Sequence, residues 1–176
     1  MSITKGGQQA LSVQTDGNLL VMIAPASVLT AGKALSDLKV SDLAANTFVD
    51  ITYDLTAGSG WAEGRSEESI NDDRLTSPQT FTQPGRESNN LTTQYVYGDD
   101  SAVADPLLVE KETFVAAVRW AVPHDQDIAA GDKFDLWYIK AGIKTRDQAA
   151  ANAVFTKTQV FYPQRNVVRD HVLTSS

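Results

Sequence analysis

The residues of this chain that could do chemistry are few, and most of them lie in one short segment. Pro123-His124-Asp125-Gln126-Asp127 brings an imidazole and two carboxylates close together, and these are ligand types that zinc and similar metals accept. The segment also falls between two predicted strands, where Asp and Pro are ordinary turn residues. His171 has no spacing relation to His124. We therefore favour a turn over a metal site and predict no catalytic residue, cofactor or metal.

Paired carboxylates are the second kind of candidate, because two acids in different environments can do acid–base work. Such pairs occur at Glu67-Glu68, Asp72-Asp73 and Asp99-Asp100. Each pair lies in a polar stretch without apolar neighbours that could bury it, so solvated loop charge explains the pairs better. The chain also lacks cysteine, which excludes a thiolate nucleophile and a cysteine-bound metal. The residue types thus predict a protein that is not an enzyme.

Length and charge narrow the class of protein further. The 176 residues fit one domain spanning positions 1–176. With 22 acidic and 15 basic side chains the net charge is −7, which disfavours attraction to nucleic acid or to anionic membranes. The N-terminal stretch MSITKGGQQALSVQ lacks the apolar run of a secretion signal. We therefore expect a protein made in a cytoplasm.

Strand-like alternation recurs along most of the chain and predicts a mainly antiparallel β fold. In Thr113–Val122, for example, alternate positions are apolar and place one face of a strand on a core. In Val49–Leu55 the same alternation predicts a half-buried strand. The other predicted strands are 18–24, 91–97, 134–141, 153–162 and 167–173.

Helix signals are weak. Asp105-Pro106 fits an N-cap followed by proline at the first helical position, which predicts two helical turns before the strand at Thr113. Ser36–Ala45 and Thr145–Asn152 are further short candidates. All three are too short to be stable without packing onto a sheet.

One stretch, Thr56–Asn90, is polar, charged and rich in glycine and proline. A loop of this length inside a domain is usually functional or disordered, and only Leu75–Gln83 has strand character. We interpret the stretch as a mobile surface loop or as an arm that becomes ordered against a neighbouring subunit. Trp61 has no local core to join and predicts an anchor into another protein. The predicted subunit-interface residues are Trp61, Arg65, Glu67, Glu68, Asp72, Asp73 and Arg74.

In several short sequence motifs that occur in a fixed order, the chain resembles the major tail tube proteins of long-tailed bacteriophages, particularly siphoviruses of actinobacteria. Their order and spacing over about the C-terminal two thirds of the chain carry the resemblance. The motifs are Asp72-Asp73-Arg74-Leu75, 80–85 (TFTQPG), 91–97 (LTTQYVY), 118–122 (VRWAV), 130–137 (AGDKFDLW) and Lys140-Ala141-Gly142.

The resemblance implies a β-sandwich or barrel-like subunit with a short flanking helix, assembled into hexameric rings that stack into a hollow tube. It implies two hairpins per subunit that join a continuous barrel around the lumen, and an arm, here Thr56–Asn90, that reaches the adjacent ring. It further implies a tape measure protein and a tail terminator as partners. Viral DNA would pass through the lumen without specific binding, and the protein would belong to the virion tail.

A size estimate agrees with passage of DNA. Four lining strands per subunit, taken from the family, give about 24 strands and a lumen of roughly 38 Å at about 4.8 Å spacing and about 40° tilt. A DNA duplex, roughly 20 Å wide, would fit inside. Each subunit carries a charge of −7, and whatever share faces the lumen would repel phosphate.

Three alternatives stay open at this point. The chain could be another virion β protein, such as a minor tail or head–tail completion subunit. It could be a β-sandwich module that binds carbohydrate or protein, with Trp61 or Trp137 as the platform. It could also be a metal hydrolase that uses His124, Asp125 and Asp127.

Overall fold

The computed structural model describes residues 12–30, 32–76 and 78–175; the N-terminal stretch considered for a secretion signal lies mostly outside them. Two helices, α1 (Val40–Leu43) and α2 (Ala104–Leu107), each make a single turn. Short 3-10 turns span Ala26–Val28, Leu35–Asp37 and Thr52–Asp54. The strands are β1 (Leu19–Pro25), β2 (Val49–Asp50), β3 (Ala62–Asp72), β4 (Phe81–Val96), β5 (Thr113–Trp120), β6 (Lys133–Arg146), β7 (Thr156–Pro163) and β8 (Val168–Val172).

All eight strands belong to one antiparallel sheet with the order β2-β1-β5-β6-β7-β4-β3, and β8 pairs with β6. The predicted mainly antiparallel β class is confirmed. The long strand β6 connects two halves of the sheet, because its first part pairs with β5 and β8 and its second part pairs with β7. No described helix is long and apolar enough to cross a membrane.

The central strands β1 and β5 bury both of their faces. In β5, Phe114, Ala116 and Val118 belong to a first apolar core, and Val115 and Ala117 belong to a second one on the other side of the sheet. The second core is closed by the turns and helix within residues 26–48. The sequence pattern predicted strands with one buried face. The second face is buried because the turns and helix of residues 26–48 cover it.

The segment that carries His124 is a turn-rich connection between β5 and β6. The fully buried Arg119 organises it, since its guanidinium donates hydrogen bonds to the carbonyl oxygens of Pro123 at 3.0 Å and Gln126 at 2.6 Å. The same guanidinium pairs with Asp132 at 2.8 Å. A buried cation of the chain itself therefore holds the loop 123–127 in place. This agrees with the interpretation of the segment as a turn, which needs no bound ligand.

The predicted strand Val49–Leu55 is wrong beyond its first two residues. After β2 the backbone turns into the 3-10 segment, and Tyr53 is largely exposed. Local side-chain hydrogen bonds compete with the strand here: the Asp50 carboxylate accepts from the backbone N–H and the hydroxyl of Thr52, and the Thr52 hydroxyl accepts from the Val21 N–H at 2.8 Å.

The helix predictions were partly wrong as well. Ser36–Ala45 contains one 3-10 turn and the one-turn α1, and α2 is shorter than expected. Thr145–Asn152 is not a helix: β6 continues to Arg146, because its outer residues pair with β7.

Candidate assembly surface

The stretch predicted as a long loop or arm is an ordered β-ribbon. β3 pairs with β4 from Ala62↔Thr92 to Asp72↔Phe81, whereas β4 meets β7 only from Leu91 onward. Residues 62–90 therefore leave the sheet as a two-stranded hairpin, which we call the arm. Its 11-residue strand β3 spans about 36 Å at the usual rise per residue. The predicted irregular loop was wrong, and so was the strand at Leu75–Gln83, because β4 begins only at Phe81.

The arm contains a bulge between Glu67 and Ser69, where the register of the pairing shifts. Gly85 lies opposite this bulge, and a Cβ atom there would come within 2.8 Å of the Glu68 carbonyl oxygen. A side chain at position 85 would force these backbones apart. Such bulges bend a ribbon and increase its twist, so the outer half of the arm points in a different direction from its root.

Six of the predicted interface residues lie along the arm and its tip. Arg65 donates to Glu87 across the two strands at 2.7 Å, and Arg74 pairs with Asp72 at 2.8 Å at the tip. Arg65, Glu87 and Arg74 are exposed, and Asp72 is partly exposed. Exposed ion pairs stabilise a fold by about 0–1 kcal/mol, so the arm's charges contribute little to the stability of the isolated chain. Exposed positions among the predicted residues are Arg65, Glu67, Glu68, Asp73 and Arg74.

Apolar side chains are exposed near the tip of the arm. Ile70 and Phe81 are 57% and 49% exposed, and Leu75 is entirely exposed. Ile70 pairs with Gln83 and Asp72 with Phe81, so Ile70 and Phe81 lie on the same side of the ribbon. A concentration of apolar surface at the end of an exposed ribbon is typical of a contact with another protein.

Trp61 does not lie on this exposed surface. It is 8% exposed and belongs to the first core, where its ring meets Trp137 edge-to-face at 6.5 Å between centroids. The premise that it has no core to join is wrong, because its partner lies 76 positions along the chain. Its indole N–H donates to Glu63 at 2.9 Å. Trp61 therefore anchors the root of the arm within its own subunit.

The root is fixed from a second side by Arg169 in β8. Its guanidinium pairs with the other carboxylate oxygen of Glu63 at 2.8 Å and lies 5.2 Å from the centre of the Trp137 ring. The first residues of the arm are thus attached to the core by an aromatic pair, an ion pair and a cation–π contact. A firmly held root transmits the orientation of the body to the tip.

The helix α2 covers the first core beside this root. Asp54 supplies the carboxylate at the helix start, accepting hydrogen bonds from the backbone N–H groups of Val103 and Ala104 at 2.6 Å. The predicted N-cap, Asp105, lies inside the helix instead. It binds Lys157 of β7 at 2.7 Å and Lys144 of β6 at 3.1 Å.

Burial would raise the pKa of Asp105, but hydrogen bonds from Lys157 and Lys144 outweigh it and lower the pKa. The same part of the core holds Tyr95, whose pKa is raised by burial and by the nearby carboxylates of Asp105 and Glu110. These groups are satisfied by their neighbours, and their arrangement is that of a structural network.

The residues of the alternative functions do not form a site. His124 is held by a hydrogen bond with the Tyr53 hydroxyl at 2.6 Å and another with the Gly17 carbonyl oxygen at 3.0 Å. Within the described ranges, no three acidic or histidine side chains gather as metal ligands. Trp137, one of the two predicted carbohydrate platforms, is fully buried, and Trp61, the other, is almost fully buried. Neither ring offers a stacking surface for a sugar.

The arm leaves a long strand edge without a partner inside the chain. Among the described strands, β3 pairs with β4 alone. At the other end of this half of the sheet, the last residues of β6, Lys144–Arg146, pair with β7 on one side and with no described strand on the other, where the Lys144 N–H donates to the Glu110 side chain. Unpaired edges of this kind add strands from other chains readily.

Comparison with known proteins gives the arrangement a context. The family model described as phage tail tube protein matches residues 8–176. A chain from the tail of an empty GTA (gene transfer agent) particle, refined helically with C6 symmetry, is 13% identical with a TM-score of 0.51, and the match covers 89% of this chain and 98% of that one. A chain from the six-fold symmetrised baseplate of the anti-feeding prophage is 11% identical with a TM-score of 0.51, covering 94% and 99%. No curated protein sequence matches the chain. At these identities the two structures bear on the fold.

Proposed function

The chain belongs to the phage tail tube protein family, whose members are structural proteins of the virion tail, and we propose that its copies form hexameric rings that stack into the hollow tube through which DNA is delivered. The observation that carries the proposal is the arm, a hydrogen-bonded ribbon with a fixed root, an exposed apolar tip and an unpaired edge. An isolated chain gains little from such a ribbon, whereas a polymer gains both a lateral and an axial contact.

Lateral contact would use the strand edges. The unpaired edge of β3 and the outer side of β6 at Lys144–Arg146 lie at opposite ends of the β6-β7-β4-β3 part of the sheet. On this outer side the Lys144 N–H donates to the Glu110 carboxylate, which a neighbouring strand would have to displace. If the β3 edge of one copy pairs with the β6 edge of the next, the sheet continues from subunit to subunit and closes as a ring. Closure removes the edges that a monomer must expose. The hydrogen bonds along β3 would then supply a contact that no side chain provides.

Axial contact would use the tip. The arm's apolar side chains at Ile70, Leu75 and Phe81 are exposed in the single chain, and their burial against the adjacent ring would stabilise stacking at about 25 cal/mol per Å² of apolar surface. Around them lie the charged residues Arg65, Glu67, Glu68, Asp72, Asp73 and Arg74, which suit the polar rim of an interface. Trp61 would take part only indirectly, by orienting the root.

The remaining parts of the proposal concern partners and place. The two similar structures belong to assemblies with sixfold symmetry, which supports a hexameric ring for this chain. A tape measure protein inside the growing tube and a terminator at its end would set the tube's length. Assembly would take place in the cytoplasm of the host bacterium. The family favours this function over a minor tail subunit, a head–tail completion subunit or a carbohydrate-binding module.

The test is to shorten the arm without touching its root. In the shortened variant, residues 65–89 are replaced by Asn-Gly, a two-residue hairpin turn, so that Gly64 and Asn90, which already face each other, close the ribbon. We expect the wild-type chain to form rings and tubes with sixfold symmetry in electron micrographs. The shortened chain should keep its β circular dichroism and its unfolding temperature yet form no long tubes.

Two outcomes would count against the proposal. A wild-type chain that stays monomeric at high concentration, and is missing from purified virions, would exclude a tube subunit. Tubes of normal length from the shortened variant would show that the arm is not the assembly surface. Loss of the β signal in the shortened variant would call for a shorter deletion, of residues 69–84, which removes the tip beyond the bulge.

A further inference from the structure

Most charged side chains of β3, β4, β7 and the end of β6 lie on one face of the sheet. On the face that looks toward the first core and α2, and on its continuation along the arm, the charged residues are Glu63, Arg65, Glu67, Glu87, Lys144, Arg146 and Lys157. On the opposite face the same strands present Ala62, Gly64, Ser66, Ser88, Asn90, Thr92, Gln94, Val96, Thr145, Thr156, Thr158, Val160 and Tyr162. We call this second set the neutral face, because each of its members is uncharged.

The assignment of faces follows from the register. Partners across an antiparallel pair point to the same side, and neighbours along a strand point to opposite sides. Leu91 and Phe161 face each other and are buried in the first core, so Thr92 and Val160, the next pair, point away from that core. The pairing Ala62↔Thr92 carries the same side onto β3.

The borders of the neutral face are defined by single charges of opposite sign. Lys140 lies opposite Tyr162 at one border. At the other, the Asp147 carboxylate accepts hydrogen bonds from Thr156, Thr158 and Gln94 at 2.8 to 3.0 Å. Within the bulge of the arm, Glu68 and Arg86 add one charge of each sign. Between these borders the surface consists of hydroxyl, amide and small apolar groups.

The subunit's own body decides which face can look into a lumen. The core-side face of these strands is covered by α2 and by the first core, with Asp105 tying α2 to Lys144 and Lys157. A ring closed through the edges of β3 and β6 has its bodies on the outside, because they occupy more space than the sheet alone. The face left bare, with Val160 and Tyr162 40% and 55% exposed, then points inward.

We propose that the neutral face is the wall of the lumen and that DNA passes a hydrated surface without net charge, on which Lys140 and Asp147 offset each other. This inference rests on the proposed tube function and replaces the expectation of a repelling acidic wall. The net charge of −7 stays on the outside and behind the sheet, where solvent screens it within a Debye length of about 8 Å. A wall whose few fixed charges cancel offers phosphate no cationic patch and sets no net negative charge against the entry of a polyanion.

The experiment uses the absence of cysteine from the chain. Single cysteines are introduced as Val160→Cys on the neutral face and as Val109→Cys, a matched control that is 51% exposed just after α2. Preassembled tubes are treated with a small maleimide or with a maleimide coupled to a folded protein wider than the lumen. We expect the small reagent to label both variants. The large reagent should label Val109→Cys in tubes and lose its reaction with Val160→Cys, while labelling both variants before assembly.

The outcomes separate this inference from the function on which it rests. Wild-type chain without tubes would overturn both. Tubes in which Val160→Cys reacts with the large reagent, or with neither reagent, would overturn the lumen wall alone. Tyr162→Cys repeats the test if the first variant does not assemble.

A charge variant measures the consequence. Tubes of Val160→Lys should retain short duplex DNA at low salt and release it as salt rises, as expected for ion pairs with phosphate, whereas wild-type and Val109→Lys tubes should retain none. Equal retention by wild-type tubes would contradict a neutral wall.

Discussion

The central strands and the arm are built from the same antiparallel ladder, yet they are stabilised in different ways. β1 and β5 bury both faces, and the pair Arg119–Asp132 there has a guanidinium with no solvent exposure. The arm buries neither face beyond its root, and its pair Arg74–Asp72 is largely exposed. The difference teaches that the body completes its packing within one chain, whereas the arm would gain its packing only from a neighbour in the proposed tube.

The largest effect is expected from breaking the buried pair in the body. Arg119→Met removes the cation that pairs with Asp132 and that donates to three backbone carbonyl oxygens, and removal of one partner of a buried ion pair costs about 3–5 kcal/mol. Arg74→Met, the matched change on the arm, should leave the unfolding of the isolated chain unchanged. Chemical denaturation of both unassembled variants measures the difference. Equal losses of unfolding free energy would contradict the comparison.

A smaller effect is expected from the network under α2, and it depends on pH. Asp105→Asn weakens the hydrogen bonds to Lys144 and Lys157, which should reduce the unfolding free energy by about 1–3 kcal/mol at pH 7. The pKa of Asp105 is lowered in the folded chain, so its contribution is present above the unfolded pKa of about 3.9 and is lost as the pH falls through the folded value.

The difference between wild type and Asp105→Asn should therefore shrink when denaturation is measured at pH 3 instead of pH 7. Asp100→Asn changes an exposed acid in the turn that follows β4 and serves as the control, with no expected effect at either pH. A difference that grows toward low pH would reverse the sign of this assignment.

The smallest effect is expected on the arm itself. Arg65→Ala removes the exposed ion pair with Glu87 and should change the unfolding free energy of the single chain by at most about 1 kcal/mol. The same substitution should raise the protein concentration needed to form tubes, as light scattering can measure. A large loss of stability in the monomer with unchanged assembly would contradict the comparison, because the ion pair would then act within the chain and not between chains.

The sequence predicted the body well because β1 and β5 are short apolar runs that end at turn residues, and because β6 and β7 retain a partial alternation of buried and exposed positions. It did not predict the ribbon at 62–90, since a strand exposed on both faces has no apolar alternation. Pro84 and Gly85 read as loop residues, although they mark a bulge. The core position of Trp61 was invisible because its partner, Trp137, is distant in sequence. The neutral face could not be found from the sequence alone, because residues 88–96 are uncharged on both sides of the strand and only the pairing register separates the two faces.

The bulge at Glu67–Ser69 has a consequence for the timing of assembly. A straight eleven-residue edge would add strands from any chain it met, and free subunits would then join at random. The bent and twisted edge, with Pro84 opposite Ser69 and unable to donate a hydrogen bond, matches only a surface already shaped to receive it. In the proposed tube this shape would slow spontaneous nucleation and spare growth from an existing end, so that a pool of subunits would stay dispersed until a tube has begun.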